Sequence, residues 1–397
     1  MAPLNILSGI KIASFTQFLL GPAGTQYLAD MGADVVKVEP PGGASERNHA
    51  GSEVFLNGIS AFQMATHRNT RCIALNLKKP QGHEAALQLA AQADVVIQNA
   101  RPGVMDRLGL GYEDVRKVNP NVIYVSASGY GDKGPGRNLP GQDLIMQAMA
   151  GLCDVSGRGD DVPIAAGAPI VDQHGGALLA LGVVSALFHR SRTGEGQHVQ
   201  VTMLQAALDL QLEPVTYALN GHEVHRSNYG LANGYSEAPY GIYKTADSYI
   251  VLSASPIKLY YDAIKDDRLL PFVDPRAIWE KKGEIRAVFE SIMPTKTTAE
   301  WVEIMRPFSI WMQAVCTYEE CFSHPAVQAA EPVMTVEHPI AGRVNLLKPP
   351  IKFGSGETEV RYFTPALGEH TVEVLRELGF SEDKIRAMQE DQSAIVG

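Results

Sequence analysis

Residues Ile10–Glu39 read IKIASFTQFLLGPAGTQYLADMGADVVKVE, and the fold is decided along them. Ile10, Ile12 and Phe15 are apolar and β-prone, so Ile10 to Phe15 reads as a strand. Gly21-Pro22 opens a helix, because proline in a first turn gives up only an N–H that has no partner there. Tyr27, Leu28 and Met31 follow at helical spacing, and Gly32 ends the helix as its C′ residue. Asp34 to Val38 (DVVKV) is a second strand, stopped by Pro40-Pro41-Gly42-Gly43. A strand, a helix and a strand in this order form a βαβ unit.

The alternation continues outward. Cys72 to Leu75 reads as a strand, Pro80 to Gln92 as a helix and Asp94 to Gln98 as a strand. Tyr112 to Val118 follows as a helix and Val122 to Ser126 as a strand. The expected fold class is therefore α/β, with an open, doubly wound, Rossmann-like parallel sheet. Such sheets bind ligands at the carboxyl ends of their strands. The loops Thr16 to Leu20, Pro40 to Gly43, Asn99 to Arg107 and Gly129 to Gln142 are where a site is expected. The first of them lacks GxGxxG, and Phe18-Leu19-Leu20 is too bulky for a pyrophosphate to lie against the helix end. Glu39 stands where a ribose-binding acid would stand, but alone it is a weak match. No nicotinamide or flavin cofactor is expected.

Later in the chain the pattern changes. Tyr240 to Tyr243 and Tyr249 to Ser253 flank Lys244 to Ser248 as an antiparallel hairpin, followed by helices near Ile257 to Ile264, Lys282 to Met293 and Thr298 to Met305. The reading is a large α/β domain over 1–224, a smaller α+β domain over 225–330 and a C-terminal segment over 331–397. In that last segment Pro339 to Phe353 looks extended and His370 to Leu378 helical.

A chain of 397 residues, 45% hydrophobic and 20% charged, accommodates this division. Lys plus Arg is 34 and Asp plus Glu 44, a net charge of −10, so no nucleic-acid partner is expected. A local basic patch could still take a polyanionic small molecule. The four cysteines make no disulfide scaffold, and Cys316, Cys321 and His324 fit no common zinc spacing, so no metal is expected. Met1 to Asn5 lacks a basic leader, and the apolar run Gly175 to Phe188 falls short of the roughly 20 residues that span a bilayer. A cytoplasmic protein without a membrane partner is the expectation.

Three groups of residues could carry chemistry. Asp172, in GAPIVDQHGG (Gly167–Gly176), stands before the apolar helix Ala177 to Phe188. A helix N-terminus would hold its carboxylate ionised, and the amides of Gly175 and Gly176 could stabilise an oxyanion. Such a carboxylate can attack an activated acyl group, or it can simply be the N-cap of the helix. The second group is the basic set Arg71, Lys78, Lys79, Arg101, Arg107, Lys133 and Arg137, several at strand ends, where an anion would dock. The third is Gln142-Asp143 after the Pro140-Gly141 turn, with Asp143 readable as a helix cap. His174, His189 and His198 have no GxSxG serine to serve, and Tyr235, Glu237 and Tyr240 could line a pocket.

Many short matches, in order along nearly the whole chain, point one way. They include Gly21-Pro22, LADMGADVVKVE (Leu28–Glu39), LNLK (Leu75–Lys78), Asn99 to Pro102-Gly103, Arg107-Leu108-Gly109 and SGYG (Ser128–Gly131). They continue through Asp143, Asp172 with its glycines, RTGEGQ (Arg192–Gln197), APYG (Ala238–Gly241) and LGEH (Leu367–His370). The chain resembles the family III CoA-transferases, which include formyl-CoA transferase, carnitine CoA-transferase and the bile-acid-inducible protein F. The resemblance implies that coenzyme A and acyl-CoA are substrates. It implies Asp172 as nucleophile, forming an aspartyl anhydride and then an aspartyl-CoA thioester. It places Gln17, Phe18 and Leu19 along the pantetheine, and Lys78, Asn99, Ala100, Arg101 and Arg107, with Tyr130, Lys133 and Arg137, around the CoA. It also implies two ring-like subunits threaded through one another, with the C-terminal segment returning to the large domain. A homodimer is expected, although some members work as heteromeric pairs in which one subunit only binds CoA. Racemases of the same family carry an acid–base histidine where this chain has Gln142, which cannot shuttle a proton. The chain also has Ala232–Glu237 (ANGYSE) where formyl-CoA transferase has a glycine run, and Pro40 where some members carry an arginine for the nucleotide.

Overall fold

The computed structural model describes residues 2–159 and 161–397. The chain divides into two compact units, one of Met1–Met146, Pro169–Leu210 and Glu331–Gly397, the other of Gln147–Ala168 and Gln211–Ala330. Residues 147–168 and 211–224, assigned above to the large domain, thus group with the second unit, and residues 331–397 group with the first.

The first unit is built on six parallel strands: β1 (Lys11–Phe15), β2 (Asp34–Glu39), β3 (Thr70–Leu75), β4 (Val95–Gln98), β5 (Ile123–Ser128) and β6 (Gln197–Thr202). Between and after them lie α1 (Leu20–Asp30), α2 (Pro80–Gln92), α3 (Tyr112–Val118), α4 (Asp143–Met149), α5 (Ile170–Thr193) and α6 (Met203–Asp209). The spatial order is β3-β2-β1-β4-β5-β6, and the short strand Ala394–Ile395 pairs antiparallel with the outer edge of β3. Ala13 faces Val36 on one side and Val96 on the other. β3 and β4 are buried at every residue, as expected of parallel strands covered on both faces.

One core cluster joins Ala13, Val36, Ile73 and Val96 to α2, α3 and two C-terminal helices, Thr371–Glu377 and Glu382–Glu390. α1 and α5 pack on each other and on β2, β5 and β6. Their contact runs through glycine. A β-carbon on Gly176 would lie 3.0 Å from the Leu20 carbonyl oxygen and 3.1 Å from the Gly24 nitrogen, so only a residue without one lets the backbones meet. α5 begins at Ile170, ahead of the apolar run, and its 24 residues are long and apolar enough to cross a membrane by length and composition alone. Its glycine face is packed against α1.

The second unit carries an antiparallel sheet in the order Met312–Ala314, Tyr249–Leu252, Gly241–Lys244. Tyr243, Tyr260, Phe289 and Trp301 are its large buried side chains, packed with the helices Ile257–Ile264, Lys282–Ile292 and Thr298–Met305. A capping box between Thr297 and Glu300 starts the last of these.

Candidate active site

Strand order reverses between β1 and β4, so the loops that leave them part in opposite directions and open a crevice at their carboxyl ends. A cleft of about 590 Å³ lies there. Gln17–Leu20 line it from β1, Asn99–Pro102 from β4, Ala127–Tyr130 from β5, and Leu139–Asp143, Pro169 and Asp172 from the segments beyond. Asn99 staples the first two loops: its Oδ1 accepts the Gln17 N–H at 2.9 Å and its Nδ2 donates to the Gln17 carbonyl at 2.8 Å.

Asp172 is not an N-cap. The cap position is Pro169, and Asp172 lies in the first turn of α5, half-buried, lining the cleft. The capping is done from outside. Asp143, buried in the first turn of α4, accepts the N–H groups of Val171 at 2.7 Å and Asp172 at 3.0 Å through one oxygen. Burial and the Asp143 charge push the Asp172 carboxyl up to about 7, against a smaller opposing pull from the Leu20 N–H at the start of α1. The expectation that the helix terminus alone keeps this carboxylate ionised is therefore corrected. So is the oxyanion role of Gly175 and Gly176. Both lie beyond the first turn of α5, where N–H groups are spent on the carbonyls four residues back. What these glycines supply is room, for the Leu20 side chain against Gly175 and for the α1 backbone against Gly176.

The basic set separates into three. Arg101 and Arg137 line the cleft, and a β-carbon on Gly103 would lie 3.3 Å from both Arg107 Nη1 and Arg137 Nη2, so two guanidinium groups converge beside the third. Among the described residues none of the three has an acidic partner. Lys78 and Lys133 are exposed and outside the cleft lining, and Lys79 precedes α2 as its cap residue. Arg71 is removed from the anion site altogether. It lies near the amino end of β3, paired with Asp34 at 2.7 Å and with Glu373 and Glu377 at 2.9 Å.

Leu19, Ala100, Tyr130 and Gln142 also line the cleft. His49, Phe62, Leu139 and Met203 line it too, without having been singled out in the sequence. A second cavity of about 300 Å³ shares Ala100, Arg101, Pro102, Ser128 and Arg137 with it and holds His198, bonded to Ser126 Oγ at 2.8 Å. His174 pairs with Asp209 at 2.7 Å. Glu39 lies outside the cleft lining, buried and forked by Arg47 at 2.6 and 2.8 Å. Tyr235, Glu237 and Tyr240 belong to the second unit. Among the described residues no group of three or more His, Cys, Asp or Glu is arranged to hold a metal ion.

The first unit is thus a doubly wound α/β sheet with a half-buried carboxyl and converging arginines at its switch point, an arrangement suited to an anionic ligand. Residues 7–371 match CoA-transferase family III, and the chain belongs to that family. It is 36% identical to an acyl-CoA transferase of Fusarium pseudograminearum, over 97% of this chain and 87% of that protein. It is 30% identical to the succinyl-CoA:glutarate CoA-transferase of Mus musculus, over 94% of this chain and 86% of that one. The crystal structure of Rv3272 from Mycobacterium tuberculosis superposes with a TM-score of 0.81 at 30% identity, covering 94% of this chain and all of that chain. The protein is a CoA-transferase acting on CoA thioesters.

Proposed function

We propose that this enzyme moves CoA from an acyl-CoA donor to a carboxylic acid through covalent intermediates on Asp172. One observation carries the reading: the Asp172 carboxyl lines the cleft at the head of α5, with the Asp143 carboxylate and the α1 N-terminus beside it. A carboxylate oxygen of Asp172 attacks the thioester carbon, and the C–S bond breaks to give a mixed anhydride and CoA thiolate. The thiolate then attacks the Asp172 carbonyl of the anhydride, releases the donor carboxylate and leaves an aspartyl-CoA thioester. An acceptor carboxylate repeats the two steps in reverse order and departs as the new acyl-CoA. Acyl activation is conserved throughout, because each bond broken is replaced by one of similar reactivity. The loop Gln17–Leu19 lies along the pantetheine arm, and Arg101, Arg107 and Arg137 take the phosphates. The enzyme works as an interlocked homodimer, and the outward side chains of Leu181 and Phe188 on α5, 61% and 64% exposed, supply apolar surface for it.

The test is an exchange assay with a panel of dicarboxylic, branched and aromatic acids as acceptors. Transfer of CoA to at least one acid supports the reading. Scrambling at the α-carbon of the acyl group without exchange overturns it.

Two expectations follow from the site. The nucleophile must be ionised, so kcat/KM should fall as pH drops below about 7, with Asp172 as the titrating group. Asp143→Asn removes the like charge and should move that limb to lower pH; a wild-type limb near the ordinary carboxylate range contradicts the assignment. Separately, Arg137→Ala should raise KM for acyl-CoA about tenfold and leave acyl-pantetheine nearly unaffected, since a lost charge-assisted phosphate contact costs on that order. Equal effects on both substrates would remove the arginine from the phosphate site.

A further inference from the structure

Phe18 stands in the left-handed region, with φ 61. A β-carbon disfavours that region, so a bulky residue persists there only where its surroundings hold it. Two groups hold this one. Both backbone polar atoms of the preceding Gln17 are bound by the Asn99 side chain, and the N–H of Phe18 donates to Glu46 Oε2 at 3.2 Å. Phe18 is 49% exposed on the cleft, whereas Glu46 is fully buried and outside the cleft lining. Glu46 can reach a ligand only through the loop.

The other oxygen of Glu46 explains why a carboxylate sits there. Glu46 Oε1 takes the Lys37 ammonium at 2.5 Å, and Lys37 also donates to His67 Nε2 at 2.5 Å. His67 Nδ1 faces the Gln63 carbonyl at 3.0 Å, which assigns its proton to Nδ1 and leaves Nε2 as acceptor. Glu39, 3.7 Å from Lys37, is the partner of Arg47. Two cations and two carboxylates cancel inside the protein, so the cluster is a rigid mount whose every charge has a partner.

We infer that Glu46, anchored by Lys37, is a positioning residue: its carboxylate fixes the left-handed turn at Phe18 and thereby the affinity for acyl-CoA, without touching it. The inference rests on the proposed course of the pantetheine along Gln17–Leu19.

The experiment compares Glu46→Gln in the wild type and in a Phe18→Gly background, reading KM for acyl-CoA and kcat separately. Glycine adopts positive φ without help, so it should make the carboxylate dispensable. In the wild type, Glu46→Gln should raise KM about tenfold with kcat within about twofold, the weakening expected on losing a bond to a charged acceptor. On Phe18→Gly the same change should add less than about twofold. An equal rise in both backgrounds, or an unchanged KM with lowered thermal stability, overturns the inference. If Glu46→Gln does not fold, Glu46→Asp keeps the charge for Lys37 while drawing back from the Phe18 N–H, and the same split is required of it. A Phe18→Gly variant with unchanged KM would overturn the placement of the pantetheine itself, and this inference with it; a raised KM there with no effect of Glu46 sinks the positioning role alone.

Discussion

Asp172→Ala is expected to lower CoA exchange by at least about a thousandfold, because Asp143, the other carboxylate lining the cleft, is engaged in capping α5 and loss of a covalent nucleophile costs on that order or more. Folding should not suffer. The Asp172 carboxyl is pushed up to about 7, well above its unfolded value, so at pH 8 the folded state carries a buried charge it disfavours. That destabilisation is absent below the unfolded pKa and grows as pH rises through the window up to about 7. Removing the carboxyl should therefore leave thermal stability at pH 8 equal or higher while exchange disappears. Steady-state exchange and a melting curve on the same preparation separate chemistry from folding. An active Asp172→Ala variant would defeat the mechanism.

The second large effect is on stability. Gly176→Val places a β-carbon 3.0 Å from the Leu20 carbonyl oxygen and 3.1 Å from both Ala23 Cβ and the Gly24 nitrogen, and then adds two methyl groups. Backbone cannot retreat like the end of a flexible side chain, so α1 and α5 must separate. Overpacking of this kind costs about 3 kcal/mol, with more where backbone is the obstacle. Separation also carries the Leu20 N–H away from Asp172, so the folded fraction should lose activity as well. Urea unfolding should show a clearly lower midpoint than wild type, while Gly42→Ala, with open space around its β-carbon, should not. A Gly176→Val protein of wild-type stability would mean that the two helices do not meet through this residue.

Much of the fold was legible because it is local. The apolar strands at residues 11–15 and 34–39, the proline at the head of α1 and the glycine after it carry their own signals. α2 and α3 fall at the ends read from the sequence. β6 was not expected, since its sequence QHVQVT alternates polar residues at a sheet edge and has no continuous apolar run. The start of α5 was placed too late because Ile170 and Val171 read as β-prone, and the group that caps them, Asp143, comes from a different helix.

The site divides along the same line. The loops that hold Gln17–Leu19, Asn99–Arg101, Tyr130 and Arg137 are legible because strand ends point to them, whereas the choice of residues within them is what the family resemblance implies. Arg71 was misassigned for a long-range reason: its partners Glu373 and Glu377 arrive from the other end of the chain. His49 and Phe62 reach the cleft from the segment after β2, whose only strands, Phe55–Leu56 and Ile59–Ser60, form a short hairpin outside the central sheet. Nothing in the sequence marks Lys37, Glu46 and Arg47, and Glu39 reads there as a weak match to a ribose-binding acid; only the fold reveals that the four neutralise one another in the interior.

In the proposed mechanism Asp172 becomes covalently acylated and then carries CoA. The most direct measurement is to mix the enzyme with acyl-CoA, trap with hydroxylamine or borohydride, and map the modified peptide by mass spectrometry. A hydroxamate or a reduced side chain is expected at Asp172, formed only with the thioester present. Continued CoA exchange with Asp172 unmodified, or modification at a different residue, would contradict it.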